Sequence, residues 1–299
     1  MHIHSSRVVM MVVPWLLTAA ALAAGRPAAS TAPVNRTVYV TVTDRQGAPV
    51  TDLTPADFVA KEGGKEREIV KAEPATARIR LALAVEERLT PDSAIRLGIF
   101  EFVKRMVNAA EISLITVGLA NSTIVDYTSD PGLLVGAINK FTLNASRESN
   151  LSEGILELAE TFAKNRPERP AIVVVAIGGG QASVDSRTVL DKLAQSGATM
   201  HAATLTGGGI GAGPVGRLSD ESGRDQVLGD GPKQAGGRQI DVNATAVIPK
   251  ALQQVADDLL AQYAITYVLP DGVKPNKRFN ISTKRRGLTL RAPSQIPEK

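Results

Sequence analysis

Apolar and polar positions along this chain follow two rhythms. Thr37 to Thr43 (TVYVTVT) alternates and is rich in β-branched residues, which predicts a half-buried strand. Asp44-Arg45-Gln46-Gly47 reads as a turn, and Leu53 to Phe58 as a helical turn opening on Thr54. Val59 to Glu62 and Glu66 to Lys71 predict two short strands flanking Gly63-Gly64. From Ile79 the rhythm changes. Ile79 to Val85 (IRLALAV) is the near-continuous apolar run of a strand covered on both faces, and Ile112 to Val117, Ala171 to Ala176 and Met200 to Leu205 repeat it. Thr123 to Tyr127 is shorter and polar-flanked, as an edge strand is. Helical spacing separates these runs at Ala94–Val107, Pro131–Phe141, Leu151–Ala163, Val184–Gln195 and Ala246–Ala261. The tail returns to alternation at Tyr263–Val268, Lys277–Thr283 and Leu288–Arg291.

Strands alternating with helices predict an α/β fold: an open, mostly parallel, Rossmann-like sheet with helices on both faces. We place it at 78–262, inserted between an N-terminal β segment (35–75) and a C-terminal one (263–299). The two segments would pair into a small sandwich-like module, since neither holds enough strands alone. In such a sheet the ligand site lies beyond the carboxyl end of a central strand. The corner that follows the Ile79 strand, Glu86-Glu87-Arg88-Leu89-Thr90, is therefore the stretch that decides function.

Composition narrows the class. With 43% hydrophobic and 21% charged residues the chain has ample core, although only 4% is aromatic. A net charge of +4, with bases interleaved among acids, gives no nucleic-acid stripe. Lys284-Arg285-Arg286, the densest basic run, reads as the solvated end of a hairpin. Arg7 followed by the apolar Val8–Ala23 and the small-x-small Ala21-Leu22-Ala23 predicts a signal peptide at 1–23 and a linker at 24–34. The alternative is an uncleaved anchor, although the run falls short of the ~20 uninterrupted apolar residues of a span. We expect a secreted or periplasmic, envelope-facing protein with no stable membrane span after cleavage. The absence of cysteine excludes thiolate catalysis, Cys–zinc sites and disulfides, which suits a bacterial envelope. The six Asn-x-Ser/Thr sequons then read as polar loops.

The segments VYVTVTDRQGAPVTDLTPADFVAKEGGKEREI and DLLAQYAITYVLPD…KRFNISTKRRGLTLRA resemble secreted bacterial proteins related to the von Willebrand factor type A (vWA) domain. The likeness runs from Asn35 to Pro293. It implies a protein-binding domain, in which a magnesium ion is held at a metal-ion-dependent adhesion site (MIDAS). There the ligands come from an Asp-x-Ser-x-Ser corner after the first strand, a Thr of a later loop, and an Asp after the fourth strand. This chain has Glu86-x-Arg88-x-Thr90 at the corner, Ser149 in the later loop and Ile177 after the fourth strand. Magnesium needs near-octahedral oxygen ligands at about 2.0–2.1 Å. Ile177 has none to give, Glu86 is a methylene too long, and Arg88 brings positive charge. The site reads as degenerate, with no metal and no cofactor.

Other signals lead nowhere sharper. Gly211–Gly216 satisfies G-x-G-x-x-G, but Pro214 and the Gly-rich continuation to Arg238 argue for a loop and against a dinucleotide site. His201 is the sole histidine beyond the signal segment and reads as a satisfied, partly buried strand residue. Asp257-Asp258 reads as a solvated helix face. The expectation is a non-enzymatic vWA-type interaction or scaffolding domain that binds protein. Its rim would be Glu86, Glu87, Arg88, Thr90, Ser149, Gly178, Gly179 and Gln181, with Glu153 and Asp185 nearby. One alternative is a metal-dependent adhesin with a remodelled magnesium or calcium site. A hydrolase or oxidoreductase on the same sheet is the other.

Overall fold

The Ile79 strand becomes the middle of a six-stranded sheet. The computed structural model describes residues 2, 33–90, 92–143, 148–179, 182, 184–206 and 223–298. The signal segment apart from His2, the G-x-G-x-x-G string and Gln181 lie outside them. Thirteen strands and six α-helices follow along these residues: β1 (Val34–Thr43), β2 (Phe58–Glu62), β3 (Lys65–Arg67), β4 (Ile69–Pro74), β5 (Ile79–Glu86), α1 (Ser93–Met106), β6 (Ala110–Val117), β7 (Asn121–Thr128), α2 (Pro131–Lys140), α3 (Leu151–Asn165), β8 (Arg169–Ile177), α4 (Ser186–Ser196), β9 (Thr199–Leu205), α5 (Gly223–Gln234), β10 (Gln239–Val242), α6 (Ile248–Leu260), β11 (Gln262–Leu269), β12 (Phe279–Thr283) and β13 (Thr289–Arg291).

The central sheet has the order β10-β9-β8-β5-β6-β7, parallel except for β7, which runs antiparallel to β6 at the edge. Counted from β5 as strand 1, this is the doubly wound order 3-2-1-4-5-6. Each strand presents one side chain up and the next down. Leu81, Leu83 and Val85 therefore enter a core with α1, α2 and α6, while Ala82 and Ala84 meet α3, α4 and α5 on the other face. Because β5 pairs with β6 on one side and β8 on the other, its carboxyl end is the topological switch point.

The terminal segments pair with each other. β1 lies antiparallel to β11 from Val34↔Leu269 to Thr41↔Gln262, inside a sheet of order β13-β1-β11-β4. A second sheet, β12-β2-β3, packs over it around Val40, Phe58, Tyr263, Tyr267 and Phe279. The α/β fold inserted between paired terminal β segments is thus as the sequence predicts. Gly63 and Gly64 turn the β2–β3 hairpin with φ of +59° and +80°, a conformation that favours glycine.

Several local expectations need correction. Glu66–Lys71 is not one strand: the chain breaks at Glu68, β3 joining one sheet and β4 the other. Lys284–Arg286 does not close a hairpin either, since β12 and β13 belong to different sheets, although it is exposed as expected. Strands that switch sheets make the corners of a sandwich. The Gly-rich stretch before Arg238 includes a helix, α5, and β10 follows it. His201 is wholly buried rather than partly so, and Asp258 is buried, not solvated.

Candidate functional site

The last residue of β5, Glu86, ends the strand inside the protein with no exposed surface. A buried carboxylate needs partners, and these come from two directions. Its Oε2 accepts the Ile177 N–H at 2.9 Å and a hydrogen bond from Arg224 Nη2 at 2.7 Å. The same Arg224 nitrogen donates to the Ile177 carbonyl at 2.7 Å. Arg224 opens α5 and is only 1% exposed. Its neighbour Asp225 accepts the Gly179 N–H at 3.0 Å, so α5 holds both the carboxyl end of β8 and the turn after it.

Arg88 adds a second cation. Its Nη1 donates to the Gly179 carbonyl at 2.9 Å and lies 3.7 Å from Glu86 Oε1. Glu86, Arg88, Ile177 and Gly179, chosen from sequence, are thus brought together, with Arg224 and Asp225 joining them. Gly178 donates to the Leu205 carbonyl at 3.0 Å and so continues the β8–β9 pairing at the carboxyl end of the sheet. Gly179 has φ +74°, where glycine is favoured, and so allows the chain to turn over the corner.

A second group forms around the β6–β7 turn. The Glu87 N–H bonds the Val117 carbonyl at 2.9 Å, and a Cβ at Gly118 would overlap the Glu87 carboxylate. Ser149 Oγ donates to the same Val117 carbonyl at 3.3 Å. The Asn150 N–H bonds the Gly118 carbonyl and its side chain the Leu119 carbonyl. Ser149 is therefore spent on the main chain. Leu119 stands out from this turn, 64% exposed, and Thr90 is exposed without joining either group. Glu153 lies in the first turn of α3, and Asp185 caps α4 through the Thr188 N–H.

The corner does not fit a divalent cation. The Glu86 and Asp225 carboxylates that reach it are already hydrogen-bonded, and two guanidinium groups face it. Among the described residues no three His, Cys, Asp or Glu side chains could hold a metal ion. The remaining polarity near α1 is structural. Asp92 caps that helix, and hydrogen bonds from Thr245 and the Ala94 N–H hold its carboxyl below the usual range. The cavity beside it, about 360 Å³, is lined by Arg96, whose guanidinium is committed to the carbonyls of Ile138 and Phe141.

Three residues escaped the sequence reading. Arg224 and Asp225 sit among glycines with no apolar period to announce a helix. Leu119 was detectable as the sole large apolar residue in the turn Gly118-Leu119-Ala120.

No protein-family model matches the chain, and no curated protein does. Solved structures match its backbone. An aerotolerance-related membrane protein from Bacteroides fragilis is similar over 60% of this chain and 98% of its own, with 16% identity and a TM-score of 0.44. The mussel byssus proximal thread matrix protein 1, with a zinc-occupied MIDAS motif, is similar over 67% of this chain at 12% identity and a TM-score of 0.49. This chain spans about half of that protein, 49%. The SpRpn10 VWA domain is similar over 61% of this chain and 97% of its own, at 9% identity and a TM-score of 0.43. At such identities the likeness is one of backbone path.

Proposed function

We propose that this chain is an exported, non-enzymatic protein–protein interaction or scaffolding domain of vWA type, and that it works without a bound metal. The observation that carries the reading is the closure of the switch-point corner by the Glu86–Arg224 pair. What stays accessible there is a surface of main-chain turns, Glu87, Thr90 and the projecting Leu119, suited to another protein's surface. The residue-level resemblance to vWA-related secreted proteins supports the same role, and the N-terminal apolar run supports export. Against an enzyme stands the chemistry of the titratable groups. His201 is sealed in the core, and the corner's carboxylate is bound to arginine. No helix among the described residues is long and apolar enough to cross a membrane.

Two measurements test this. The melting temperature of the chain from Ala24 onward should be the same in EDTA and in millimolar magnesium, manganese or calcium. A ligand at 100 times its dissociation constant adds about 2.7 kcal/mol, so a saturable rise of several degrees would overturn metal independence. A photo-crosslinker placed at Leu119 in the producing cell should yield a discrete adduct that Glu87→Lys abolishes. Adducts no different from those at an unrelated exposed position, such as Lys140, would sink the interaction surface.

A further inference from the structure

The Arg224 guanidinium joins the two places that a metal ion would join. One Nη2 atom contacts the Glu86 carboxylate, at the first position of the corner, and the Ile177 carbonyl, at the end of the fourth strand of the central sheet, each at 2.7 Å. Both side chains are essentially without exposed surface, 0% and 1%. Glu86 Oε1 accepts no hydrogen bond, with Arg88 Nη1 3.7 Å away, and Arg224 Nε has no hydrogen-bond partner.

We propose that Arg224 is a tethered cation: its guanidinium takes the place of a divalent ion at the switch point and thereby pins α5 to the sheet. The helix needs such a pin. Its sequence, GRDQVLGDGPKQ, contains three glycines and Pro232, and it buries only Val227 and Leu228 as large apolar side chains. Asp225, bonded to the Gly179 N–H, adds the second attachment. Taking the guanidinium away leaves a cavity lined by the Glu86 carboxylate and the Ile177 carbonyl. These carboxylate and carbonyl oxygens match the planar donor edge of a free guanidinium ion. The inference concerns the corner itself and holds whatever the rim binds.

The test is chemical rescue. Arg224→Ala should melt several degrees below the unsubstituted chain. Guanidinium at 1–20 mM, far below denaturing concentrations, should raise it again in a saturable way, while equal urea or sodium chloride should not. The unsubstituted chain and the Glu86→Gln, Arg224→Ala double variant should show no such rise. Hydrogen exchange should rise first in residues 223–234 of Arg224→Ala and fall when guanidinium is added. Where Arg224→Ala alone does not fold, the neutral pair Glu86→Gln, Arg224→Met should restore cooperative unfolding, because it leaves no lone buried charge. An Arg224→Ala chain as stable as the original, a foldable one that guanidinium does not rescue, or failure of the neutral pair to restore folding overturns the proposal.

Discussion

At the scale of single residues, the strongest statement concerns buried charge and its neighbours. Asp258 is 3% exposed and bonds the guanidinium groups of Arg238 and Arg291, the second at 2.6 Å. His201 is buried among the same groups and accepts the Arg238 N–H on Nδ1 at 3.3 Å. Burial foremost, then the charges of Arg291 and Arg238, lowers its pKa to about 3. The unfolded chain therefore takes up a proton on this ring below about pH 6.5, while the folded chain stays neutral until about 3. The ring's contribution is complete above pH 6.5 and is lost as pH falls from there to 3. The slope approaches about 1.4 kcal/mol per pH unit. We expect urea midpoints of the wild-type chain to fall more steeply from pH 7 to pH 4.5 than those of His201→Gln, which keeps an acceptor but does not titrate. Parallel slopes would remove His201 from the account. The sequence did hold a clue to Asp258. It follows Ala251 and Val255 at helical spacing, so it lies in the apolar stripe of α6 while Asp257 points away. Its partners, 20 residues before it and 33 after, carry no mark in the chain.

At the scale of elements, strand and helix existence was legible wherever apolar residues kept a period, because burial on one or two faces imposes that period. It failed where chain geometry, not burial, rules. α5 lacks the stripe, and the break at Glu68 arises because its two halves serve different sheets. At Gly237 the backbone of the turn after α5 presses against β9, and a Cβ there would overlap the Met200 carbonyl oxygen. Gly136, inside α2, has nothing within 4 Å of the same position. Gly237→Ala should therefore cost about 3 kcal/mol or more, since backbone cannot yield cheaply. Gly136→Ala should add about 0.5–1 kcal/mol by its helix propensity. Urea unfolding of the two variants would separate them, and equal effects would contradict the packing described for the turn. The corner shows the same division. Its position was legible from the Ile79 run, whereas the cation that fills it comes from the element with no period.

At the scale of the whole molecule, residues 32–299 make one compact unit although they contain two kinds of core. Arg169, at the start of β8, ties them. It donates to the carbonyls of Ala75, Ala77 and Leu259 and to Gln262 Oε1, spanning the entry into β5 and the passage from α6 to β11. Burial lowers its pKa to about 10, which leaves it charged at neutral pH. Calorimetry should show a single transition for the whole chain. Removing 263–299 should abolish cooperative unfolding rather than leave a stable α/β remainder, because Val38, Val40 and Val42 lose the strands that cover them. A truncated chain that still unfolds in one sharp step would show the two cores to be independent.

The pairing of β1 with β11 also sets a timetable. Thr41 meets Gln262 about 220 residues later in the chain. At about 5–20 residues per second of synthesis, roughly 10–40 seconds separate the appearance of the two strands at the ribosome. Throughout that interval β1 lacks both strands that flank it in its sheet, β11 and β13. The first strand made is one of the last to be placed, so a companion that shields it during the wait would act at the opposite end of the chain from the one whose arrival completes the fold.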